Sequence, residues 1–316
     1  MSPPTRELSV VVPLLNESES LAGLCDGLRK KLDGKIDYEI VFVDDGSRDN
    51  SWKVITDLYH EYDNIKAVSF RSNRGKSYSL AAGFIEASGK IIVTMDADLQ
   101  DEPADILRMV DKINEGYDVV AGWKHRKASL FRLILTKIFN FSVRATTGIK
   151  LHDFNCSLKV YRSEVVRNIK LYGELHRFLP VLASWQGFRV TEIKVANYER
   201  RYGRSKYGLA RIWRGFFDLA SIVFIVRYGK KPLHVFGGLG MLFFTIGFIV
   251  DLYMTMLRFQ GEKIGDRPLF MLGTMMIVLG VQFFTMGLLG ESINYSFSDS
   301  RESRNFYREV LKHDDQ

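Results

Sequence analysis

Two aspartates spaced two residues apart carry the most chemical information in this chain. Asp96 and Asp98 directly follow the apolar segment 90–95, which has the composition of a buried β-strand. Carboxylate oxygens at the end of a strand suit a divalent cation, Mg²⁺ or Mn²⁺, that also binds phosphates. Acid pairs of this spacing also occur in ordinary solvated turns, so the interpretation depends on the surrounding elements.

Two earlier apolar segments, 8–12 and 38–43, end in similar polar positions. These positions are, in chain order, Pro13, Asn16, Glu17, Asp44 and Asp45. Open sheets of parallel strands bind their ligands at the carboxyl ends of the strands. The three strand ends together therefore predict a site for a nucleoside diphosphate and its cation.

The first two thirds of the chain alternate short Val- and Ile-rich strands with amphipathic helices. This order predicts a Rossmann-like α/β fold with a mostly parallel sheet and right-handed crossovers. A helix is predicted to begin at Gly75-Lys76, although the spacing of a phosphate-binding P-loop is absent there. Lys76 could contact a nucleotide or belong to a plain turn, and the sequence leaves both open.

Two long apolar runs, 233–257 and 268–290, dominate the last third of the chain. Each has about the 20 residues that a bilayer crossing requires, whereas helices of a soluble core seldom stay apolar on every face for that length. Basic residues flank the outer ends of this hairpin and the connecting loop is short, which predicts cytosolic termini and a cytosolic catalytic portion. No cleavable signal pattern opens the chain, and the plasma membrane is expected if the source is bacterial or archaeal.

The net charge of +7 comes largely from amphipathic and juxtamembrane segments. Such clusters favour a lipid bilayer rather than nucleic acid as the partner. With two cysteines in the chain, a disulfide framework is not predicted, and a reducing compartment is expected.

One predicted helix, 130–148, has polar residues at every fourth position. This polar stripe consists of Arg132, Thr136, Asn140 and Arg144. A helix with such a stripe can rest on a membrane and direct the stripe at an anion. A second amphipathic stretch, 207–231, has the aromatic and basic composition of an interfacial helix. Both stretches could instead pack against the sheet, because periodicity does not distinguish a protein core from a bilayer.

With these residues in place, the chain resembles the family 2 glycosyltransferases of the GT-A fold, in the dolichol-phosphate mannosyltransferase and polyprenyl-phosphate glycosyltransferase branch. The shared blocks are V-V-V-P-L-L-N-E from Val10, D-D-G-S from Asp44, N-R-G-K from Asn73, D-A-D-L-Q-D-E-P from Asp96, A-G-W-K-H-R from Ala121, R-x-x-x-T from Arg132, D-F-N-C-S-L-K-V-Y-R from Asp153 and R-R-Y-G-R-S-K-Y from Arg200. The two apolar runs fit the branch that carries its own membrane anchor. The expected domains are a catalytic domain at 1–206 with its acceptor helix at 129–147, an interfacial helix and linker at 207–231, a hairpin at 232–290 and a cytosolic tail at 291–316.

The resemblance implies a role for each candidate residue. The donor nucleotide and sugar would meet Pro13, Asn16, Glu17, Asp44, Asp45, Lys76, Asp96, Ala97 and Gln100. The cation would be held by Asp96 and Asp98. The diphosphate would be approached from a loop by Arg200 and Lys206. The acceptor phosphate would be met by Lys124 or Arg126, with Arg132 and Thr136.

The implied reaction transfers a sugar from a UDP- or GDP-linked donor to a polyprenyl phosphate, with a metal ion and inversion at the anomeric carbon. The catalytic residues would be Asp98, Asp153, Arg132 and Arg200. A phosphate monoester has its second pKa at about 6, so the acceptor is already anionic and needs no strong base. Asp153 could orient Arg132 or a sugar hydroxyl, act as a weak base, or cap the following strand.

Two other functions remain open at this stage. An acceptor with a neutral hydroxyl, such as diacylglycerol or a membrane glycan, would need a true general base. A non-catalytic nucleotide-sugar sensor is the other, and the acid pair with its basic partners argues against it. The chain reads G-W-K at 122–124, where the mannosyltransferases usually read G-S-R, and it lacks the Q-x-x-R-W signature of processive synthases. The first difference weakens the inference to mannose, and the second argues against a polymerising enzyme. The identity of the sugar and the formation of a homo-oligomer are left open by the sequence.

Overall fold

The computed structural model describes residues 6–124, 130–169, 171, 173, 175–198, 231–261 and 268–297. These residues belong to two compact units, one within Met1–Leu219 and the other within Ala220–Gln316. The predicted interfacial helix at 207–231 lies outside the described residues apart from its last position, as does the predicted tail beyond residue 297. The predicted domain boundaries therefore stay predictions.

The first unit alternates strands with helices, as the sequence pattern predicts. Its strands are β1 (Arg6–Leu14), β2 (Tyr38–Asp44), β3 (Ile65–Ser69), β4 (Gly89–Thr94), β5 (Val119–Lys124), β6 (Lys159–Arg162) and β7 (Val190–Val195). Its helices are α1 (Leu21–Leu32), α2 (Ser51–Glu61), α3 (Lys76–Glu86), α4 (Ala104–Asn114), α5 (Leu130–Thr147), α6 (Ser163–Asn168) and α7 (Leu179–Trp185), with a 3₁₀ turn at Leu175–Phe178.

The seven strands form one sheet in the order β3-β2-β1-β4-β6-β5-β7. All neighbouring pairs are parallel except those of β6, which is antiparallel to both β4 and β5. The first residue of β6, Lys159, consequently pairs with Thr94 at the end of β4. This reversal places the loop that precedes β6 at the same sheet edge as the acid pair. The predicted α/β class with a mostly parallel sheet is confirmed.

Helices cover the sheet and bury its central strands. Every residue of β2 is buried, as is expected of a parallel strand with helices on both faces. On α1 the buried positions are Leu21, Leu24, Cys25, Leu28 and Leu32, which follow the helical period. Both cysteines are buried and free, so the structure contains no disulfide between them.

The second unit consists of a pair of apolar helices. A helical turn at Leu233–Gly237 leads into α8 (Gly238–Phe259), and α9 spans Pro268–Phe297. Two stretches, Leu233–Phe259 and Pro268–Ile293, are long and apolar enough to cross a membrane. Large apolar side chains on both helices are exposed, for example Phe248 and Met271. This exposure suits helices surrounded by lipid better than helices of a soluble core.

Glycines allow the two helices of this hairpin to approach closely. A Cβ added to Gly247 would lie 2.6 Å from the carbonyl oxygen of Gly273, and one added to Gly240 would lie 2.7 Å from that of Gly280. Small residues at such contacts are typical of helices that pack in membranes. The one carboxylate within α8, Asp251, accepts a hydrogen bond from the hydroxyl of Thr274 at 3.1 Å. The side chain of Asp251 is thus turned towards the partner helix.

Candidate active site

The acid pair lies at the carboxyl end of β4, as predicted. Between the pair and the rest of its loop, Leu99 has a φ of 59°, which non-glycine residues rarely adopt. This conformation lets Asp98 Oδ1 accept the backbone N–H of Gln100 at 3.3 Å. The Leu99 side chain packs against α1, where a Cβ added to Gly23 would lie 3.6 Å from Leu99 Cδ1. Packing on α1 therefore offsets the strained backbone and keeps both acids at the sheet edge.

Asp96 forms an ion pair with Lys76, the first residue of α3. About a third of each side chain is exposed, 33% in both cases. Burial raises the pKa of Asp96, but the ammonium groups of Lys76 and Lys124 and the Ser157 hydroxyl outweigh this effect and hold the pKa at about 2. Asp96 is therefore a carboxylate throughout the neutral range, as a metal ligand must be.

A second ion pair, between Asp101 of the loop after β4 and Lys124 at the end of β5, is buried. Lys124 Nζ is 2.6 Å from Asp101 Oδ1, and their side chains are 5% and 0% exposed. Ser157 Oγ donates to the other oxygen of Asp101 at 3.1 Å. Burial lowers the pKa of Lys124, but Asp101 and its neighbours outweigh it, so the pKa is raised and the lysine is charged. The expected contact of Lys124 with the acceptor phosphate does not fit this geometry, because a buried and paired ammonium is not open to a lipid phosphate.

Two predicted nucleoside residues, Asp44 at the end of β2 and Asp45 after it, hold neighbouring segments in place. Asp44 accepts hydrogen bonds from the Ser47 backbone N–H (2.9 Å) and the Ser69 hydroxyl (3.0 Å). Asp45 accepts the backbone N–H groups of Arg74 (2.6 Å) and Gly75 (2.9 Å). Asp44 thus ties the loop after β2 to the end of β3, and Asp45 ties the end of β2 to the turn that starts α3.

Gly46 is required for this contact between loops. Its φ is 75°, and an added Cβ would lie 2.8 Å from the backbone carbon of Ser72. Another residue there would meet both backbone strain and a clash.

The polar residues after β1 join the same edge. Asn16, at a φ of 55°, accepts the backbone N–H of Arg48 at 2.8 Å through Oδ1. The backbone N–H of Glu17 donates to the Ser51 hydroxyl at 2.9 Å. Pro13 pairs with Val43 on one side, while the pairing of β1 with β4 has already ended at Val11. The missing N–H of Pro13 therefore costs no hydrogen bond to β4.

Two more residues predicted to contact the donor substrate lie in the loop 95–103, which is called the metal loop after its proposed role. Ala97 is buried between the acids, and the backbone carbonyl of Gln100 accepts the N–H of Tyr198 at 3.0 Å. The Tyr198 hydroxyl donates to Glu102 at 3.1 Å. The segment after β7 thus contacts the metal loop shortly before Arg200 and Lys206, which lie outside the described residues together with Arg126.

Asp153 lies in the loop before β6 and is 4% exposed. Its Oδ1 accepts the backbone N–H of Asn155 at 2.9 Å, and Thr94 of β4 holds the loop by donating to the Ser157 carbonyl at 2.8 Å. The preceding residue, His152, joins three elements. Its backbone N–H and its Nδ1 both contact Glu192 of β7, and its ring stacks on Trp123 of β5 with centroids 4.1 Å apart.

The predicted amphipathic helix exists as α5, and it has two distinct sides. Ile138 and Phe141 are 57% and 66% exposed, whereas Asn140 and Val143 are buried. At Asn140 the polar stripe therefore turns towards the protein while apolar side chains point outward. The stripe residues Arg132 and Thr136 are in α5, but their side chains lie outside the described part of the structure.

Three buried polar residues near the acids are not predicted by the sequence reading. Ser77 Oγ contacts His176 Nδ1 at 3.0 Å, and Lys159 Nζ donates to the Cys156 carbonyl at 2.5 Å. Burial and the nearby cations Lys76 and Arg177 hold the pKa of His176 well below 6.5. Burial lowers the pKa of Lys159 to about 8. A lysine inside the apolar run 158–161 is a signal that could have identified Lys159, whereas nothing local links Ser77 to His176.

The donor atoms at this edge fit a cation that is shared with a substrate. Among the described residues, no group of three or more His, Cys, Asp and Glu side chains could hold a metal ion by itself. Asp96 and Asp98 supply two hard carboxylates. Mg²⁺ and Mn²⁺ are commonly held by one or two carboxylates and by substrate phosphates, so the residues present suit such an ion.

Residues 9–170 match the family described as Glycosyl transferase family 2. The dodecaprenyl-phosphate galacturonate synthase of Rhizobium johnstonii is 36% identical over 95% of this chain and 91% of the relative. The undecaprenyl-phosphate 4-deoxy-4-formamido-L-arabinose transferase of Yersinia pestis is 35% identical over 98% and 95%. Crystal structures of the glucosyl-3-phosphoglycerate synthase from Mycobacterium tuberculosis share the fold. The complex with Mn²⁺ and uridine-diphosphate-glucose has a TM-score of 0.56 and 18% identity over 69% of this chain and 79% of that protein.

Proposed function

The chain belongs to glycosyl transferase family 2, and on this premise we propose that it transfers a sugar from a nucleotide-activated donor to a polyprenyl phosphate at a membrane. The acid pair carries the proposal. Asp96 is kept ionised by Lys76 and stands with Asp98 at the edge where loops from β1, β2 and β4 meet. Relatives of similar length that are named for transfer to dodecaprenyl or undecaprenyl phosphate support the choice of acceptor.

The donor diphosphate is the natural partner of the acid pair. Asp96 and Asp98 would hold Mg²⁺ or Mn²⁺, which when bound supplies positive charge to the departing diphosphate. The structural neighbour crystallised with Mn²⁺ and uridine-diphosphate-glucose supports this assignment. The loops organised by Asn16, Asp44 and Asp45 would receive the nucleoside of a UDP- or GDP-linked sugar, with Pro13, Glu17, Ala97 and Gln100 around it.

Arg200 and Lys206 are assigned to the same diphosphate. They follow Tyr198 in the sequence by two and eight positions, and the backbone N–H of Tyr198 donates to Gln100 of the metal loop. The planar guanidinium of arginine binds two phosphate oxygens at once and so suits a charge that grows during the reaction.

The acceptor phosphate is assigned to Arg126, Arg132 and Thr136. The exposed apolar side chains Ile138 and Phe141 would lie on lipid, while the stripe residue Asn140 is buried against the protein. This is the orientation that we propose for the acceptor helix. Lys124 instead supports the acids from behind through its buried pair with Asp101.

In the reaction, an oxygen of the acceptor phosphate attacks the anomeric carbon, and the bond to the donor diphosphate breaks. The nucleoside diphosphate leaves and the anomeric centre inverts. The protein must hold two anions close together, which Arg132 and Arg200 do through fixed positive charge. Asp153, buried in the loop before β6, would orient the reacting groups.

The hairpin of α8 and α9 is proposed to anchor the enzyme in the membrane. The distribution of basic residues supports an orientation with both termini and the catalytic unit on the cytosolic side.

One experiment tests the activity and the acceptor together. Membranes containing the full chain are incubated with undecaprenyl phosphate, Mn²⁺ and a panel of radiolabelled UDP- and GDP-sugars, and the lipids are separated by thin-layer chromatography. We expect a labelled polyprenyl-phosphate sugar with at least one donor and none with EDTA. Label in diacylglycerol or in a glycan, with none in the polyprenyl lipid, would support the hydroxyl acceptor instead.

A further inference from the structure

The ammonium of Lys76 contacts one of the two acids that are proposed to hold the cation. Its Nζ pairs with Oδ1 of Asp96. Lys124 and the Ser157 hydroxyl also lower the pKa of this carboxyl group, so it already has two cationic neighbours and a neutral hydrogen-bond donor. Any divalent cation that binds Asp96 must therefore approach a carboxylate whose negative charge is already balanced by the ammonium of Lys76.

The backbone on both sides of Lys76 is held in place. Asp45 accepts the N–H groups of Arg74 and Gly75, and Gly75 has a φ of 91° that favours glycine. On the other side, Ser77 is bonded to the ring and the backbone N–H of His176 (3.0 and 3.2 Å). The lysine side chain itself is a third exposed. Its ammonium can consequently change partner by rotation of the flexible side chain while the backbone of α3 stays in place.

Electrostatics favours different partners for the Lys76 ammonium in the absence and in the presence of a nucleotide. An ammonium and a divalent cation on the same carboxylate repel each other, and the repulsion is strong in a partly buried site. A diphosphate changes the balance because its oxygens attract both cations. The diphosphate is thus a second anionic partner for Lys76 at the start of α3.

Resting on the proposed function, we infer that Lys76 couples the two ligands of the donor site. Its ammonium competes with the divalent cation for Asp96 and moves to the donor diphosphate when the nucleotide binds. The cation thus binds weakly alone and tightly with the nucleotide. By thermodynamic linkage, the cation strengthens nucleotide binding by the same factor.

The alternative is that Lys76 only supports the loop of Asp96. A lysine with that role would hold the carboxylate in place for the metal, and its loss would weaken binding of the cation and of the nucleotide alike. The two roles therefore predict opposite signs for the binding of the cation alone.

The test measures Mn²⁺ binding to the purified full chain in detergent by electron paramagnetic resonance. Wild type, Lys76→Met and Lys76→Arg are titrated with Mn²⁺ alone, with Mn²⁺ plus UDP and with Mn²⁺ plus GDP. Lys112→Met is the matched control, because Lys112 pairs with the exposed acid Glu115 elsewhere in the same unit and has a similar side-chain exposure of 38%. Circular dichroism checks that each variant is folded.

We expect Lys76→Met to bind Mn²⁺ alone about tenfold more tightly than wild type, because the competing charge is gone. With the nucleotide that wild type binds, the same variant should lose about tenfold in nucleotide affinity and most of the coupling factor. Lys76→Arg should keep the sign of the wild-type coupling, and Lys112→Met should match wild type in every titration.

Mn²⁺ binding that is unchanged or weakened in folded Lys76→Met would overturn the inference. This failure is separate from a failure of the proposed function, which would appear as wild-type protein that forms no polyprenyl-phosphate sugar. If Lys76→Met is unfolded, the sign is read from Lys76→Gln, which also removes the charge and keeps a polar side chain at this partly exposed position.

Discussion

The side-chain amide of Asn140 donates a hydrogen bond of 2.6 Å to the backbone carbonyl of His152. Asn140 belongs to the polar stripe of α5, and His152 directly precedes Asp153. His152 is also held by Glu192 of β7. One hydrogen bond therefore links the proposed acceptor helix to the loop that carries the buried acid.

Asn140→Ala should weaken this link between α5 and Asp153. The carbonyl of His152 would lose a partner in a partly buried site, and α5 would shift relative to the acid. We expect the KM for polyprenyl phosphate to rise about tenfold while the KM for the sugar nucleotide changes little. Steady-state kinetics with each substrate varied in turn measures the difference. Thr146→Ala is the control, since the exposed Thr146 donates within its own helix to the carbonyls of Ser142 and Val143. Equal effects of both substitutions would count against a role for Asn140.

Arg132→Ala tests the polar stripe itself. If this side chain binds the acceptor phosphate, its loss should raise the KM for polyprenyl phosphate by about a hundredfold, as expected for a charge-assisted hydrogen bond of about 2–3 kcal/mol. The KM for the sugar nucleotide should stay close to that of wild type. Lys137→Ala removes an exposed positive charge from the same helix and should have little effect. Similar changes in both KM values would argue against the assignment.

Asp98→Ala tests the acid pair. Loss of this carboxylate should abolish transfer, because one protein ligand of the cation would be missing. The protein should remain folded in detergent, since Asp98 is at the sheet edge and not in the core. Asp111→Ala, on the exposed side of α4, is the matched control and should retain activity. Metal-dependent transfer by the Asp98 variant at the wild-type rate would contradict the site.

The buried pair of Lys124 and Asp101 should matter for stability. Lys124→Met leaves Asp101 as an unpaired buried charge, which costs about 3–5 kcal/mol and should lower the melting temperature by roughly 10 °C. Adding Asp101→Leu should recover part of the loss because the buried charge is removed. Lys112→Met breaks an exposed pair with Glu115 and should leave the melting temperature almost unchanged. A melting temperature of Lys124→Met equal to that of wild type would contradict the buried placement.

Lys159 should make stability depend on alkaline pH. Burial and the nearby Lys76 lower the pKa of Lys159, whereas Cys156, Asp153 and Asp96 raise it. The net result is a pKa of about 8 in the folded chain, compared with an ordinary value of 10.5. Between these two values the unfolded chain binds more protons, so the free energy of unfolding rises with pH. Below pH 8 both states are protonated and the penalty is constant.

The measurement compares wild type with Lys159→Met in detergent from pH 7.5 to 9.5. The difference in stability should shift in favour of wild type by roughly 1–2 kcal/mol over this range. A difference that does not change with pH would show that Lys159 is not held at a lowered pKa.

The sequence by itself determined the parts of this protein that follow from local patterns. Alternating apolar segments predict the strands up to β5, and the period of Leu21, Leu24 and Leu28 predicts α1. The polar spacing from Arg132 to Arg144 predicts α5, and the two apolar runs predict the long helices of the second unit. The acid pair could also be placed at a strand end, because the position of a residue after an apolar segment is a local property.

Only the tertiary structure decided which distant side chains meet. The strand β6 runs against its neighbours and brings the loop of Asp153 to the edge of β4, an arrangement that depends on strand order and not on the composition of β6. Lys124 was expected at the acceptor phosphate, yet it pairs with Asp101, and Ser77 meets His176 across 99 positions of sequence. Such contacts form because buried charged and polar groups need a partner, and the sequence near one residue does not show which distant residue that partner is.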